Sequence, residues 1–407
     1  MDKKLAQERA ASASGFVTRR LSDSTLVNIA THKYKGGTYT PIDNWLNPFW
    51  LFCANLLPGW IAPNMVTLIG VGFNILSCYL ITRETNGRFQ GNVRPWVNVV
   101  CGLCLFIYQT LDAMDGKHAR ATKNSTPLGQ LFDHGLDALS CPMMILTLMS
   151  CIQIGPNIIV VCAILGAQVP FFLAQWAESK TGAMQHSLGG LFGVTETQLL
   201  FVCLHFLSAC VPSTFWTQTV GDLGVVGYPD VAVQSNTLLV FGLLVPGGLL
   251  MILHQLFTTP ADMYSYLQLC GALVPPVAIA FILHTPSGSA MLEQYTQLIV
   301  WTLAITLTYM TTQIIVMNMG HGNFAAVQPT TLLQMTSLLV TQASTQDVDV
   351  VVMVGGMELY LQLVFGLITV LYGCWSMGAI SEICHVLDIF CLTINVPKGL
   401  KESSKNK

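Results

Sequence analysis

Four aspartates, Asp112, Asp115, Asp133 and Asp137, fall within twenty-six positions of a chain in which only 10% of residues are charged. Asp112 and Asp115 stand three apart, and Asp133 and Asp137 four apart, so on helices each pair shares a face. Between the pairs, "NSTPLG" breaks any helix: Pro127 stops it and Gly129 lets the chain re-enter one. Two helix ends joined by a short turn bring all four carboxylates towards one point. Carboxylates that close repel one another unless a cation lies among them. An all-oxygen set suits Mg²⁺, Mn²⁺ or Ca²⁺ rather than zinc. The spacing allows two ions bridged by shared carboxylates, which can clamp a phosphate undergoing in-line displacement. Gly116 and Ala119, small at i and i+3, let a diphosphate or a neighbouring helix approach the backbone, and Lys117 and Arg120 are placed to hold phosphate oxygens. A lone aspartate at a helix start is often an N-cap, a role open to Asp133, but capping does not call for four in this order.

The elements that must position these residues are membrane helices. The chain has 407 residues, 52% hydrophobic, with a mean hydropathy of +0.57, whereas a soluble protein carries roughly 25% charged residues. Apolar runs long enough to cross about 30 Å of hydrocarbon recur. They predict an all-α polytopic membrane protein with ten spans, at 60–82, 96–116, 133–153, 156–177, 188–211, 232–255, 264–284, 294–318, 327–343 and 359–380. The ninth is short and carries the polar "QPTTLLQMTSLL". No cleavable leader is visible in "MDKKLAQERAASASG", so the first span is expected to target the chain. In the first 59 residues, the amphipathic "TLVNIATHKY" and the aromatic "IDNWLNPFWLFCANLLPGW" predict one or two helices lying along the interface.

Lys and Arg set the orientation. With the N-terminus in the cytosol, fifteen of the eighteen basic residues fall on that side, and only Arg83, Arg88 and Arg94 lie opposite. Both termini and the aspartate segment then face the cytosol. The only N-x-S/T sequon, at Asn124, would be cytosolic and unglycosylated. No basic stripe points to nucleic acid. The thirteen cysteines lie mostly in apolar runs, and the CxxC of Cys101 and Cys104 lacks a second ligand pair.

"DAMDGKHAR", eight residues, then "GQLFDHGLD" resembles the CDP-alcohol phosphatidyltransferase signature DGxxARx₈GxxxDxxxD with its usual upstream aspartate. The resemblance is to the eukaryotic choline/ethanolamine phosphotransferase subgroup. It extends to "PGWIAPNMVTLIGVGFNI", "WAESKTGAMQHS" and "GAISEICHVLDIFCLTIN", covering roughly 30–395. It implies that Asp112, Asp115, Asp133 and Asp137 hold two Mg²⁺ or Mn²⁺ ions, with Gly116, Ala119, Arg120 and Gly129 shaping the CDP pocket. Asn64 and Thr67 would lie near the nucleotide, or else simply open the first span. The implied reaction transfers phosphoethanolamine or phosphocholine from CDP-ethanolamine or CDP-choline to diacylglycerol, releasing CMP. His134 is the expected base, with Asp137 as the fallback. The resemblance also implies a homodimer in the endoplasmic reticulum or Golgi membrane.

The expected organisation is an interfacial segment 1–59, catalytic helices 60–211, further spans 212–395 forming a lipid-side or dimer region, and a basic tail 396–407. Two positions depart from the subgroup. Gln130 stands where it has Glu, and is expected to hydrogen-bond His134 without charging it; Thr197 stands where it has Gly. Leu136 leans towards ethanolamine, while an aromatic cage for choline would draw on residues such as Trp60, Tyr108 or Trp176. Three other readings compete: a family member that has lost catalysis, an aspartate-rich intramembrane prenyltransferase, and a cation path lined by carboxylates.

Overall fold

The computed structural model describes residues 3–12, 20–185, 187–219, 221–222, 233–344 and 356–394. Three helices precede the first span: α1 (Lys3–Ser12), α2 (Asp23–Thr31) and α3 (Pro41–Leu56). The sequence predicted one or two. The stretches singled out became α2 and α3, whereas α1, polar almost throughout, carried no apolar periodicity to reveal it. The bundle follows with α4 (Pro63–Thr85), α5 (Pro95–Ala121), α6 (Pro127–Cys151), α7 (Ile158–Thr181) and α8 (Val194–Cys210). A two-stranded antiparallel hairpin, β1 (Ser187–Leu188) and β2 (Phe192–Gly193), joins α7 to α8. After the single turn α9 (Thr214–Thr217), a continuous run combines α10 (Ser235–Leu239), a π-helical turn at Val240–Leu244 and α11 (Val245–Thr258). Then come α12 (Met263–His284), α13 (Pro286–Gln294), α14 (Thr296–Met319), α15 (Pro329–Ser344) and α16 (Met357–Leu387).

Each of the ten predicted spans overlaps a helix, with 188–211 opening on the β1–β2 hairpin before α8, but among the described residues only seven helices are long and apolar enough to cross a membrane. The exceptions have physical causes. The N-terminal half of α6 carries the polar Gln130, Asp133, His134 and Asp137, while α8 and α15 are only 17 and 16 residues long. Helix is the form in which a segment inside lipid satisfies its own backbone groups.

The centre of the bundle is α14, whose most apolar stretch is 83% buried, against 6% for the run Ser235–Thr258 and 11% for α16. It packs on α6, α7 and α16, so the stretches before and after residue 211 interleave. The same end of the molecule gathers the start of α6, both described chain ends and the N-terminal helices. Asn28 Nδ2 donates to the Gly320 carbonyl after α14, Arg9 pairs with Asp388 at 3.1 Å after α16, and Glu382 accepts the Arg20 and Leu21 amides. The basic tail lies outside the described residues.

Candidate active site

Helix α5 runs on to Ala121, and the chain turns back through Lys123, whose φ of +57° is left-handed. Thr126 then caps α6 by accepting the Gly129 amide, with Pro127 in the first turn. The helix expected from 133 therefore begins at Pro127. Asp133 is nearly two turns inside α6 and caps nothing. All four aspartates project from regular helix, where the backbone holds each side chain at a fixed direction.

Three of them converge. Asp112, Asp133 and Asp137 each offer a carboxylate oxygen, and these oxygens lie within 4.8 Å of one another. The Asp112 Oδ1 atom is buried and has no hydrogen-bond partner among the described residues. Asp115 stands apart from that triplet. It is 6% exposed, accepts the Thr67 hydroxyl through Oδ2, and remains within electrostatic reach of Asp112 and Asp133. On the inner side the Tyr108 hydroxyl donates to Asp137 Oδ1. A converging, all-oxygen, partly unpartnered donor set fits a hard divalent cation.

The base candidate lies beside the triplet. His134 Nε2 is 3.9 Å from Asp133 Oδ2, and Nδ1 is 3.5 Å from Gln175 Nε2 on α7. The Tyr34 ring meets the imidazole edge-on at 5.5 Å. Gln130 does not do what its spacing suggested. Its amide nitrogen donates to Glu178 Oε1 at 3.0 Å and its oxygen accepts from His32 Nε2 at 2.8 Å, so it ties α6 to α7 and to the N-terminal segment instead of holding His134.

The residues expected to shape the pocket divide similarly. At Gly116 an added Cβ would meet only Arg120 Nη1, at 3.6 Å, so the groove is open beside an exposed guanidinium. Ala119 is buried, and Gly129 faces Asn64 Oδ1 and Thr126 Oγ1, each 3.8 Å from where a Cβ would sit. Asn64 binds the Cys391 carbonyl through Nδ2 at 2.8 Å and lines a small groove with Asn124, Thr126 and Phe390. Lys117 turns inward, away from any phosphate role. It is 9% exposed, donates to the Ala113 carbonyl, and sits over the rings of Trp50 (5.0 Å) and Tyr39 (5.7 Å). Of the candidate cage aromatics only Tyr108 reaches the carboxylates; Trp60 is exposed and Trp176 packs on Tyr266. Thr197 bonds the Gly193 carbonyl at the start of α8, a local structural use of the departure from glycine.

Sequence reasoning missed Gln175 and Glu178 as site residues, together with His32 and Tyr34. The first two carry a readable signal. Gln168, Gln175 and Glu178 recur at helical spacing on one face of an apolar span. His32 and Tyr34 lie on a loop whose docking no local pattern encodes.

Comparison with known proteins agrees with this geometry. A profile of CDP-alcohol phosphatidyltransferases matches residues 60–227. The chain is 28% identical over 388 residues to the uncharacterized CDP-alcohol phosphatidyltransferase class-I family protein 2 of Dictyostelium discoideum, covering 93% of this chain and 89% of that protein. It is 38% identical to choline/ethanolaminephosphotransferase 2 of Arabidopsis thaliana over 47% of this chain, about half (48%) of that protein's length. It is 29% identical to cholinephosphotransferase 1 of Danio rerio, over 74% of this chain and 78% of that protein. The signature running from Asp112 to Asp137 lies on two packed helices inside the matched region, so over residues 60–227 the chain is similar to the CDP-alcohol phosphatidyltransferases.

Proposed function

We propose that this membrane enzyme transfers phosphoethanolamine or phosphocholine from a CDP-alcohol to the free hydroxyl of diacylglycerol, releasing CMP. The observation that carries the reading is the convergence of Asp112, Asp133 and Asp137 with His134 Nε2 on their flank. Asp112, Asp133 and Asp137, with Asp115 behind them, would hold two divalent ions, Mg²⁺ or Mn²⁺. Once bound, those ions neutralise the diphosphate and polarise the phosphorus under attack. Arg120 and the open backbone at Gly116 and Ala119 receive the diphosphate, while Gly129, Asn64 and Thr67 bound the nucleotide side. His134 takes the proton of the diacylglycerol hydroxyl. The lipid oxygen bonds the phosphorus bearing the alcohol, and the bond from that phosphorus to the CMP oxygen breaks.

The catalytic helices of 60–211 supply these groups, and 212–395 contributes the central α14 and outward apolar faces suited to lipid and to a second copy of the chain. The reading places the protein in the endoplasmic reticulum or Golgi membrane with the site towards the cytosol. Support comes from the excess of basic residues at the end that holds the site and both described chain ends. A glycan on Asn124 would overturn that orientation. Leu136 favours ethanolamine. The test is purified protein in vesicles with diacylglycerol, a divalent ion and each CDP-alcohol in turn, scored by CMP release. Metal-dependent release is expected, abolished by Asp133→Asn; no release with either donor would refute the reading.

A further inference from the structure

We propose that the protein holds a phospholipid of the leaflet opposite the carboxylates, with one acyl chain in a cavity between α4, α6 and α14 and the phosphate on Arg83. The site is independent of the phosphotransferase reading.

The cavity measures about 300 Å³ and its surface is almost wholly apolar. Ile75 and Tyr79 of α4 line one side, Trp301 of α14 the other, and Met143 of α6 lies between them. It opens on the outside of the bundle, since Ile75 is 52% exposed and Tyr79 60%, whereas Met143 is buried. Its depth follows from α4. Thr67 of that helix meets Asp115, and Arg83 stands sixteen residues further on, about 24 Å at 1.5 Å per residue. Hydrocarbon is about 30 Å thick, so with the carboxylates at one polar boundary Arg83 lies at the other. The cavity then sits among the acyl chains of that second leaflet.

The rim is held by the chain's own bonds. Gln297 donates to the Gly87 carbonyl in the turn after α4 and accepts the Trp301 indole N–H at 3.1 Å. Cys78 Sγ donates to the Met143 carbonyl at 3.5 Å. Both α6 and α14 are thereby tied to α4 around a preformed space. Arg83 supplies the recognition. It is exposed, lines the cavity, and makes no hydrogen bond or ion pair among the described residues. Arg94, at the same end, is by contrast held by Glu84 at 2.6 Å and lies over Trp96. A free guanidinium beside an apolar trough is complementary to a phosphate carrying long chains. Diacylglycerol has the chains without the anion. Tyr79 and Trp301 are the residue types that favour this level of the bilayer.

Photolabelling tests this. The full chain is reconstituted in phosphatidylcholine vesicles containing a small fraction of phosphatidylcholine with a diazirine on one acyl chain, irradiated, and mapped by peptide mass spectrometry. Labelling at 75–79 and Met143 should exceed that on Leu363, Leu367 and Val370, exposed residues of α16, by roughly tenfold. Arg83→Gln should bring the cavity down to the α16 level, with α16 labelling and thermal melting unchanged. In the parent protein, a diacylglycerol carrying the same diazirine chain should label the cavity no more than α16. Equal labelling of cavity and α16 by the phospholipid means ordinary contact with bulk lipid and overturns the inference. Cavity labelling that persists in Arg83→Gln, or that the diacylglycerol probe reproduces, also overturns it, because the groove then takes chains without reading phosphate. If Arg83→Gln does not fold, the diacylglycerol arm decides alone.

Discussion

Thr67 sits on α4, yet its hydroxyl donates to Asp115 Oδ2 on α5, making it the link that orients the one aspartate outside the tight triplet. Groups that orient a metal-binding carboxylate typically change metal affinity by about 10–100-fold when removed. Thr67→Val should therefore raise the Mn²⁺ concentration for half-maximal CMP release by roughly that factor, with the rate at saturating metal within a few-fold of the parent. An unchanged metal requirement would show that Asp115 needs no orienting. His32 gives a pH signature at the same scale. Burial is the main cause holding it below the ordinary value of 6.5; its hydrogen bond to Gln130 opposes this and nearby His321 adds to it. A lowered folded-state value means the unfolded chain binds that proton first. The stabilising contribution is complete above the unfolded value and is lost as pH falls through the folded one. Thermal melting should therefore drop on acidification below about pH 6.5, and His32→Gln should flatten that part of the curve. Identical slopes in the two proteins would remove His32 from the account.

The element most exposed to sequence reasoning was the α5–α6 hairpin. Asp112 to Asp137 fall at helical spacing on either side of Thr126-Pro127, and both facts are local. The bend, the cap and the facing carboxylates followed from them. The contributions of α7 and α14 were not legible, because they depend on which helices become neighbours. Gln168 shows the difference. In the sequence it is one amide in an apolar run. In the fold its Nε2 reaches the Ala138 and Ala304 carbonyls and the Thr308 hydroxyl, and Thr308 also donates to Ala138 at 2.9 Å. This cluster pins α6, α7 and α14 together one residue from Asp137. Gln130 was misjudged for the same reason: its spacing to His134 was visible, but its partners on α7 and in the N-terminal segment were not. Because Gln168 Oε1 has no partner among the described residues, Gln168→Leu breaks contacts while relieving one orphan acceptor. A net loss of about 0.5–2 kcal/mol is expected, the range for interhelical hydrogen bonds in membranes. It would be read as a lower melting temperature in detergent, with a parallel fall in kcat if the cluster holds Asp137 in register. A gain in stability would mean the cluster is a cost carried for function.

Across the whole molecule, the N-terminal helices are fastened to the end of the bundle that holds the carboxylates. Leu26 and Ile29 of α2 are each 1% exposed, in an apolar cluster with Leu128 and Leu131 of α6, Ile315 and Met319 of α14, and Ile383 of α16. From that anchor the chain passes His32, bound to Gln130, and Tyr34, set against His134. A segment remote in sequence is thereby made a wall of the site, and its docking should be separable from the folding of the bundle. Truncating a buried isoleucine costs about 2–5 kcal/mol. That is enough to release a short helix held mainly by this cluster, and too little to unfold a bundle centred on α14. Ile29→Ala should leave the main melting transition within a few degrees of the parent while residues 32–40 become sensitive to protease. CMP release should fall together with that undocking, and substrate should restore part of the protection if the docked segment closes over the bound CDP-alcohol. Full activity in a variant whose segment is demonstrably cleaved would show that His32 and Tyr34 lie beside the chemistry without serving it.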